Sequence, residues 1–428
     1  MQLAAPPRPR LVRQRLGAAA CVLLASGAAV ARADSSGATT QLDATLLRYG
    51  EQSRVTVTEP TVRITRLLPD GQSLTGQVIL DVISGASPSG AMPIGVVPAG
   101  QPQTMTTPSG NVVSVGTPDP SAIPLSRFHD TRIALDGGWS KPFGLFTPSF
   151  DASFSREKDY QSLGGNGKLS IDLFRRLMTL TVGGGYNHDG VFPKGGTRAP
   201  LTDGSVITGY GTDAKRVSTG MVSLSRVITR RWMVAASATR ILERGYLTEP
   251  YKIVSVLDDS SGVPVGQLTE SRPATRGRNG VLGSSVYHLT RDVMYVTYRY
   301  YWDDWGVRSS TVDARYRKDL GGDAWLEPHL RFYTQTAARF FRFGLLQGEP
   351  VPAYITADQR LNAMRSVTVG GTLGFKIPDY PGEFSVRAEY IGEFGGGHPA
   401  YVTGVQRGFD LFPTLNIGSL LLGYSVQF

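Results

Sequence analysis

The sequence predicts an all-β fold, a transmembrane antiparallel β-barrel of about 16 strands with 14 as the fallback, on three observations. Segments of roughly 10–14 residues alternate apolar with polar side chains along most of the chain. The connections between them alternate between tight turns and longer links. The last stretch, Leu415 to Phe428 (LNIGSLLLGYSVQF), is an alternating strand that ends on an aromatic with nothing after it. A soluble strand can also end in Phe, so the remainder of the chain has to decide between the two.

The chain opens with Arg8, Arg10, Arg13 and Arg15, and an apolar run from Leu16 to Val30 follows them. Ala31-Arg32-Ala33 then places small residues where a signal peptidase reads them, so residues 1–33 are expected to be a cleavable signal peptide cut after Ala33. The run is shorter than the ~20 residues of a spanning helix, and Cys21 is poorly placed for a lipoprotein signal. Removing the leader takes away five arginines and no acid, so the formal charge falls from +9 to +4. That removes the main support for nucleic-acid binding. The only cysteine leaves with it, and with it any disulfide framework or thiol catalyst. The expected layout is 1–33 signal peptide, 34–53 N-terminal segment and 54–428 barrel.

Several strands are legible residue by residue. Phe146, Phe150, Ala152 and Phe154 share a face opposite Ser149, Asp151, Ser153, Ser155 and Glu157. Met294, Val296, Tyr298, Tyr300 and Trp302 oppose Arg291, Thr297, Arg299 and Asp303. The next two strands set Val312, Ala314 and Tyr316 against Asp313, Arg315 and Arg317, and Leu326, Leu330 and Phe332 against Glu327, His329 and Arg331. Later, Val367, Val369, Leu373 and Phe375 oppose Ser366, Thr368 and Thr372, and Phe384, Val386, Ala388 and Tyr390 oppose Arg387, Glu389 and Glu393. In a transmembrane barrel the apolar set meets lipid and the polar set lines the lumen. About fifteen such segments are recognisable, and the missing one is expected within Leu42 to Thr58, where the pattern is faint.

Short turns read Pro69-Asp70-Gly71, Lys141 to Gly144, Phe174 to Leu177, Thr229 to Trp232, Leu289 to Asp292, Leu320 to Asp323 and Ile377 to Gly382. Between them lie mostly longer links, 86–126, 189–214, 242–273, 337–362 and 395–414, with two shorter ones near Lys158 to Gly167 and Asp303 to Gly306. A sandwich has no reason to sort its loops by parity, whereas an outer-membrane barrel does. The sorting also brings the C-terminus down at the short-turn end. Leu420, Leu422, Tyr424 and Val426 are then expected to face lipid, with Phe428 completing a signal for the assembly machinery.

Chemistry of other kinds is sparse. His129, His188, His288, His329 and His398 include no pair at metal-ligand spacing, and no metal or cofactor is expected. Asp258-Asp259-Ser260-Ser261-Gly262 reads as a turn and lacks the regular oxygen spacing of a calcium loop. The Gly-rich pieces 183–185 and 395–397 have no following helix or Lys, so they are not phosphate cradles. No catalytic motif is present, and an enzyme is not expected. The lumen-facing candidates are Arg299, Asp303, Asp313, Arg315, Arg317, Glu327, His329, Arg331, Arg387, Glu389 and Glu393. Opposed acids and bases across a lumen can set ion preference, or can pair and close it.

The run Tyr298-Arg299-Tyr300-Tyr301-Trp302-Asp303-Asp304-Trp305-Gly306 is distinctive, as is the later Tyr333-Thr334-Gln335-Thr336-Ala337-Ala338-Arg339-Phe340-Phe341. With Asp81 to Pro88 and Ser271 to Arg276, these segments resemble the DUF3570 family of bacterial proteins. The resemblance covers nearly all of the chain after the leader and implies exported β structure, with no activity to carry over. The expected location is the bacterial outer membrane. The expected role is a channel for small polar solutes, with a closed structural or adhesion barrel as the alternative and a barrel hydrolase as the third reading. Expected partners are outer-membrane lipid, the assembly machinery and small polar solutes.

Overall fold

The architecture is that of a computed structural model, which describes residues 37–94, 103–106, 112–115, 123–204 and 211–428. The expected signal peptide lies outside the described residues, as does much of the expected long link 86–126. β1 (Thr39–Glu51), β2 (Val55–Leu67) and β3 (Ser73–Pro88) lead through a short pair, β4 (Gln103–Thr106) and β5 (Val112–Val115), to β6 (Leu125–Ser140) and β7 (Phe146–Arg156). Then come β8 (Tyr160–Leu173), β9 (Met178–Val191), β10 (Asp213–Thr229), β11 (Trp232–Gly245) and the short β12 (Ile253–Leu257) and β13 (Pro264–Thr269). β14 (Thr275–His288), β15 (Val293–Asp303), β16 (Arg308–Gly321) and β17 (Ala324–Gln335) follow. After the short β18 (Gly344–Leu346) come β19 (Met364–Phe375), β20 (Glu383–Gly395) and β21 (Leu415–Gln427).

The sixteen long strands pair antiparallel in chain order and close into one barrel. The seam joins β1 to β21 from Gln41↔Gln427 to Glu51↔Ile417, and Phe428 and Thr40 exchange backbone hydrogen bonds of 2.7 and 2.9 Å. Most of residues 34–53 is therefore the first barrel strand, which corrects the expected boundary at 54. The pattern there is faint because Leu47 and Tyr49 sit at inward positions and Arg48 at an outward one. Closure matters because it leaves no sheet edge with unpaired backbone groups.

Every second residue faces out, and the outward set is apolar and exposed. Leu163, Phe150 and Tyr390 are 60%, 58% and 56% exposed, and Leu135, Val222, Val296, Phe332, Val369 and Leu420 belong to the same belt. An apolar band of this kind has to be covered by something other than water. Two of the expected belt residues are not in it. Tyr424 and Val426 are outward by register yet buried, because the 376–382 connection folds back over them. Tyr424 packs on Phe384 at 4.8 Å and donates its hydroxyl to Pro381 O at 2.7 Å. Gly382, at φ 94°, lies so close that a Cβ would stand 2.5 Å from Ser425 O. Only Leu420 and Leu422 of the expected four are exposed.

Short turns occupy one end, such as 230–231 between β10 and β11 and 322–323 between β16 and β17. The other end carries all of the long loops together with the short links 52–54, 157–159 and 304–307. The link expected over Lys158 to Gly167 is only three residues, because β8 already begins at Tyr160. No helix among the described residues is long and apolar enough to cross a membrane.

Candidate functional site

The long loops lack the two-residue period of the wall because they pack on one another. Ile253 N donates to Ser89 O at 3.0 Å, joining the β11–β14 loop to the β3–β6 loop from a distant part of the ring. β12 pairs antiparallel with β13 and parallel with β18, which belongs to the β17–β19 loop. Gln406 Nε2, from the β20–β21 loop, donates to Pro93 O at 2.6 Å and to Gly262 O at 3.0 Å. The β9–β10 loop joins through Leu201 N to Thr269 O at 3.2 Å. Loops rooted all round the rim thus meet over the mouth as one folded cap.

The cap has its own core. Met92, Leu257, Phe343, Val402, Leu411 and Phe412 form one buried cluster, and Val254, Leu345, Ile355 and Ala357 form a second. Each fully buried aliphatic side chain contributes roughly 1.5–3 kcal/mol. Between core and wall lies a buried charge group. Arg272 Nη2 donates to Glu270 Oε2 at 3.0 Å and to Asp358 Oδ2 at 2.9 Å, and Glu270 is fully buried. Glu270 also accepts from Glu249 N at 2.6 Å and from Thr356 Oγ1 at 2.5 Å. Burial works against the Arg272 charge, and the adjoining Glu270 and Asp358 carboxylates outweigh it and raise the guanidinium above its ordinary range. Burial also opposes ionisation of Asp358, which Arg360 and then Arg272 overcome, holding its carboxyl below the ordinary range. Lys252 adds a bond from Nζ to Pro88 O.

Beneath the cap is a cavity of about 670 Å³, walled by the barrel on one side and the cap on the other. Its wall carries Tyr160, Lys215, Arg276, Arg278, Arg299, Tyr301 and Tyr333, and its roof carries Tyr251, Arg272, Trp305 and Asp358. Most of the cations are paired: Lys215 with Asp189 at 3.7 Å, Arg278 with Glu243 at 2.8 Å and Arg276 with Asp303 at 2.5 Å. Arg276 also lies over the Trp305 ring at 4.2 Å. Of the cavity-wall cations named, Arg299 is the one without an ion pair among the described residues.

Farther down the lumen the expected charges meet in one cluster. His329 Nε2 lies 2.8 Å from Asp313 Oδ2 and its Nδ1 lies 2.8 Å from Glu389 Oε1. An imidazole donates to both only with both nitrogens protonated. Arg331 Nε donates to Asp313 Oδ2 at 2.8 Å, while Arg315 lies 3.3 Å from Asp313 and 3.9 Å from Glu327. The bridge to Glu389 skips a strand. In the ladder His329 faces Gly370 and Gly370 faces Glu389, and a Cβ on Gly370 would stand 2.6 Å from Glu389 Cγ. The other candidates lie apart. Arg317 stacks over Trp325 at 3.7 Å, Arg387 donates to Thr372 Oγ1 at 2.9 Å, and Asp303 belongs to the cap end. Glu393 faces inward near the long-loop end of β20.

Three segments singled out in the sequence converge at the cap. Trp305 Nε1 donates to Thr275 O at 2.9 Å, Asp304 Oδ2 accepts from Gly277 N at 2.8 Å, and Tyr301 donates to Asp303 Oδ2 at 2.7 Å. Arg339 reaches Asp304 O, and Phe340 packs edge-on against Trp305 at 5.1 Å. The family described as protein of unknown function (DUF3570) matches residues 13–426. The chain belongs to the DUF3570 family. No curated protein sequence matches this DUF3570 chain. Among solved structures it is similar to the ferric enterobactin receptor of Pseudomonas aeruginosa, as a point mutant in complex with enterobactin, at 10% identity and a TM-score of 0.42. That match covers 91% of this chain and 61% of the receptor, so the chain spans under two thirds of the receptor's length. It is also similar to the TodX monoaromatic hydrocarbon channel, at 10% identity and a TM-score of 0.39 over 92% of this chain and 91% of that one. The outer membrane protein OpdK of Pseudomonas aeruginosa matches at 8% identity and a TM-score of 0.40, over 91% and 99%. These are likenesses of fold alone.

Two acidic groups remain. Asp258 Oδ1 accepts from the backbone N–H of Ser261 at 2.7 Å and from the Ser260 and Ser261 hydroxyls at 2.7 and 2.8 Å, and those bonds hold its carboxyl below the ordinary range. It closes its own turn. Asp130, Glu157 and Asp159 bring carboxylate oxygens within 4.8 Å of one another. Burial, then the charges of Asp130 and Asp159, push Glu157 up to about 7. Neither the cap as one folded unit nor its buried Arg272 was legible in the sequence. The nearest signal was the Ser271 to Arg276 segment, whose residues prove to anchor it.

Proposed function

We propose that the protein is an outer-membrane barrel that passes small polar solutes through a lumen gated at its long-loop end by the cap. The observation that carries this reading is the cavity of about 670 Å³ between a charged barrel wall and a cap with its own core. A barrel serving only as a structural wall has no need of a lumen lined by arginine, lysine and tyrosine. The exposed apolar belt supports a lipid surround, and the β1–β21 seam supports Phe428 as the element the assembly machinery reads. Acids and bases in alternation along the lumen would favour small polar and ionic solutes over apolar ones.

The reading is of a passage and not of an enzyme. His329 is held between two carboxylates and His288 Nδ1 contacts Leu289 O, and no serine hydroxyl bonds either ring among the described residues. A second reading has one observation in its favour. Val265, Val351 and Tyr354 are exposed on the cap, as an adhesion surface would require. A liposome-swelling assay separates the two. The passage reading expects slow entry of small sugars and amino acids with the intact chain and fast entry once residues 253–268 are replaced by a short linker. Impermeable liposomes in both cases would leave the adhesion reading standing.

A further inference from the structure

The strand register assigns a side to every charged residue of the wall, and the two signs are not distributed alike. Among the described residues, every Asp and Glu on a barrel strand, from Asp43 to Glu393, sits at an inward position. Arginines do not follow that rule. Arg216 on β10 and Arg244 on β11 are outward, exposed and directly opposite each other in the ladder. His188 on β9 faces Arg216 from the other side, so three neighbouring strands present a basic row. Neither Arg216 nor Arg244 makes an ion pair or hydrogen bond among the described residues, and the adjacent 205–210 stretch contains no acid.

Like charges directly across a strand pair repel, with Cβ atoms about 4.5–5.5 Å apart. A wall that keeps all its carboxylates on the other face cannot neutralise them. The nearest outward carboxylate, Asp304 beside Gly277, accepts from a backbone N–H and pairs with neither arginine, which leaves both open to a counter-charge from outside the chain. The place says what kind of partner can supply it. Leu242 and Tyr186 lie two residues from Arg244 and His188 on the same faces and are exposed, so the row stands where the apolar belt ends. The outward arginines Arg127, Arg156, Arg308 and Arg365 lie within two residues of the same long-loop ends. At ~3.3 Å per residue they form a band under about 10 Å deep around that rim. Such a band sits at the headgroup level of a lipid leaflet, and a guanidinium matches a phosphate in bidentate geometry.

We propose that the outward row His188–Arg216–Arg244 binds the phosphate of an anionic lipid in the leaflet at the long-loop end. This rests on the reading of the protein as a membrane barrel. The ligand is a lipid headgroup phosphate and the clamp is the pair of facing arginines, with His188 beside them. The outward band of arginines extends the same preference round the rim.

The test uses the full chain in a zwitterionic detergent, with native mass spectrometry to follow bound lipid. The probes are diphosphorylated lipid A, phosphatidylcholine and inorganic phosphate. The expected result is retention of the phosphorylated lipid A in preference to phosphatidylcholine, weakened about tenfold or more for each of Arg216→Gln and Arg244→Gln. Arg226→Gln, on the outward face at the opposite end of β10, should leave binding unchanged. Heat-modifiable gel mobility reports folding. If a Gln variant does not fold, Arg216→Lys and Arg244→Lys keep the charge and should still weaken binding through loss of the bidentate fork. Equal binding by wild type and the Arg216 and Arg244 variants overturns the proposal, as does an equal loss in Arg226→Gln. Full competition by inorganic phosphate at matched concentration overturns the lipid as the source. A chain that stays soluble without detergent would instead sink the membrane-barrel reading itself.

Discussion

Replacing Arg272 by Met should loosen the cap and leave the barrel intact. Arg272 is nine-tenths buried, and its guanidinium is shared between the fully buried Glu270 and the nearly buried Asp358. Asp358 keeps Arg360, at 2.6 Å. Glu270 keeps only the hydroxyl of Thr356 and the backbone of Glu249, and is left as a buried carboxylate without a cation. Breaking one side of a buried pair costs about 3–5 kcal/mol. At about 1.4 kcal/mol per tenfold, the open form of the cap should become roughly a hundred- to several-thousand-fold more populated. Hydrogen–deuterium exchange in detergent micelles reads this directly, because local opening exposes the amides of β12, β13 and β18 while β15 to β17 stay protected. The double change Arg272→Met with Glu270→Gln should restore much of the protection by removing the orphaned charge. Unchanged exchange in the cap of Arg272→Met would refute the assignment of this group as its keystone. Equal loss of protection in cap and barrel would refute the cap as a separately opening unit.

Three further outcomes follow from particular contacts. Gly370→Val should separate His329 from Glu389, since a Cβ there would lie 2.4 Å from Ala388 O, and should lower the temperature of the heat-modifiable transition by an amount worth about 1–3 kcal/mol. A transition at the wild-type temperature would contradict it. Glu157, raised to about 7 from the ordinary value of 4.5, holds a proton in the folded state that the unfolded chain releases between those two values, so its contribution is full below the ordinary range and is lost as pH rises through 7. Asp358 works in the opposite direction, stabilising at pH values above the ordinary aspartate range and losing that only in acid. Thermal melts of Glu157→Gln between pH 6 and 8 should therefore show a flatter pH dependence, and an unaltered slope would rule Glu157 out as its source. Phe428→Ser should reduce the amount of folded barrel recovered from the outer membrane, measured by fractionation, because Phe428 is the last residue bonded across the seam. Wild-type recovery would rule out the terminal aromatic as the assembly signal.

The barrel was legible because each wall residue must face one of two sides, which writes a period of two into the chain. The reading failed where a strand breaks that period. In β1, Leu47 and Tyr49 point inward and Arg48 outward, so the first strand showed only faintly within Leu42 to Thr58 and its residues fell outside the expected barrel boundary at 54. In β8, Gly164, Gly165 and Gly167 read as a loop, yet a Cβ on Gly164 would stand 2.3 Å from Asn187 Nδ2, so the glycine is room for a side chain on β9. Parity told the sides of Asp313, His329 and Glu389 but could not tell that they touch, because their contact passes over Gly370 on an intervening strand. Burial of Tyr424 and Val426 was hidden for a related reason, since a turn covers them from outside the alternation. The cap as one folded unit was not legible, although the uncharged stretch 86–118 reads as a loop that is mobile or wrapped over the mouth. Its core joins residues from four separate loops, and its keystone joins Arg272 to Asp358 across 86 residues of chain, with no repeating pattern to mark either.

Single-channel recording in planar bilayers shows whether the cap gates a passage. The intact chain should be silent or open in brief, discrete steps. Replacing residues 253–268 by a short linker, in protein that retains its heat-modifiable mobility, should give long-lived steps of larger conductance. Silence from that cap-deleted barrel, across preparations that insert, would contradict a passage gated by the cap.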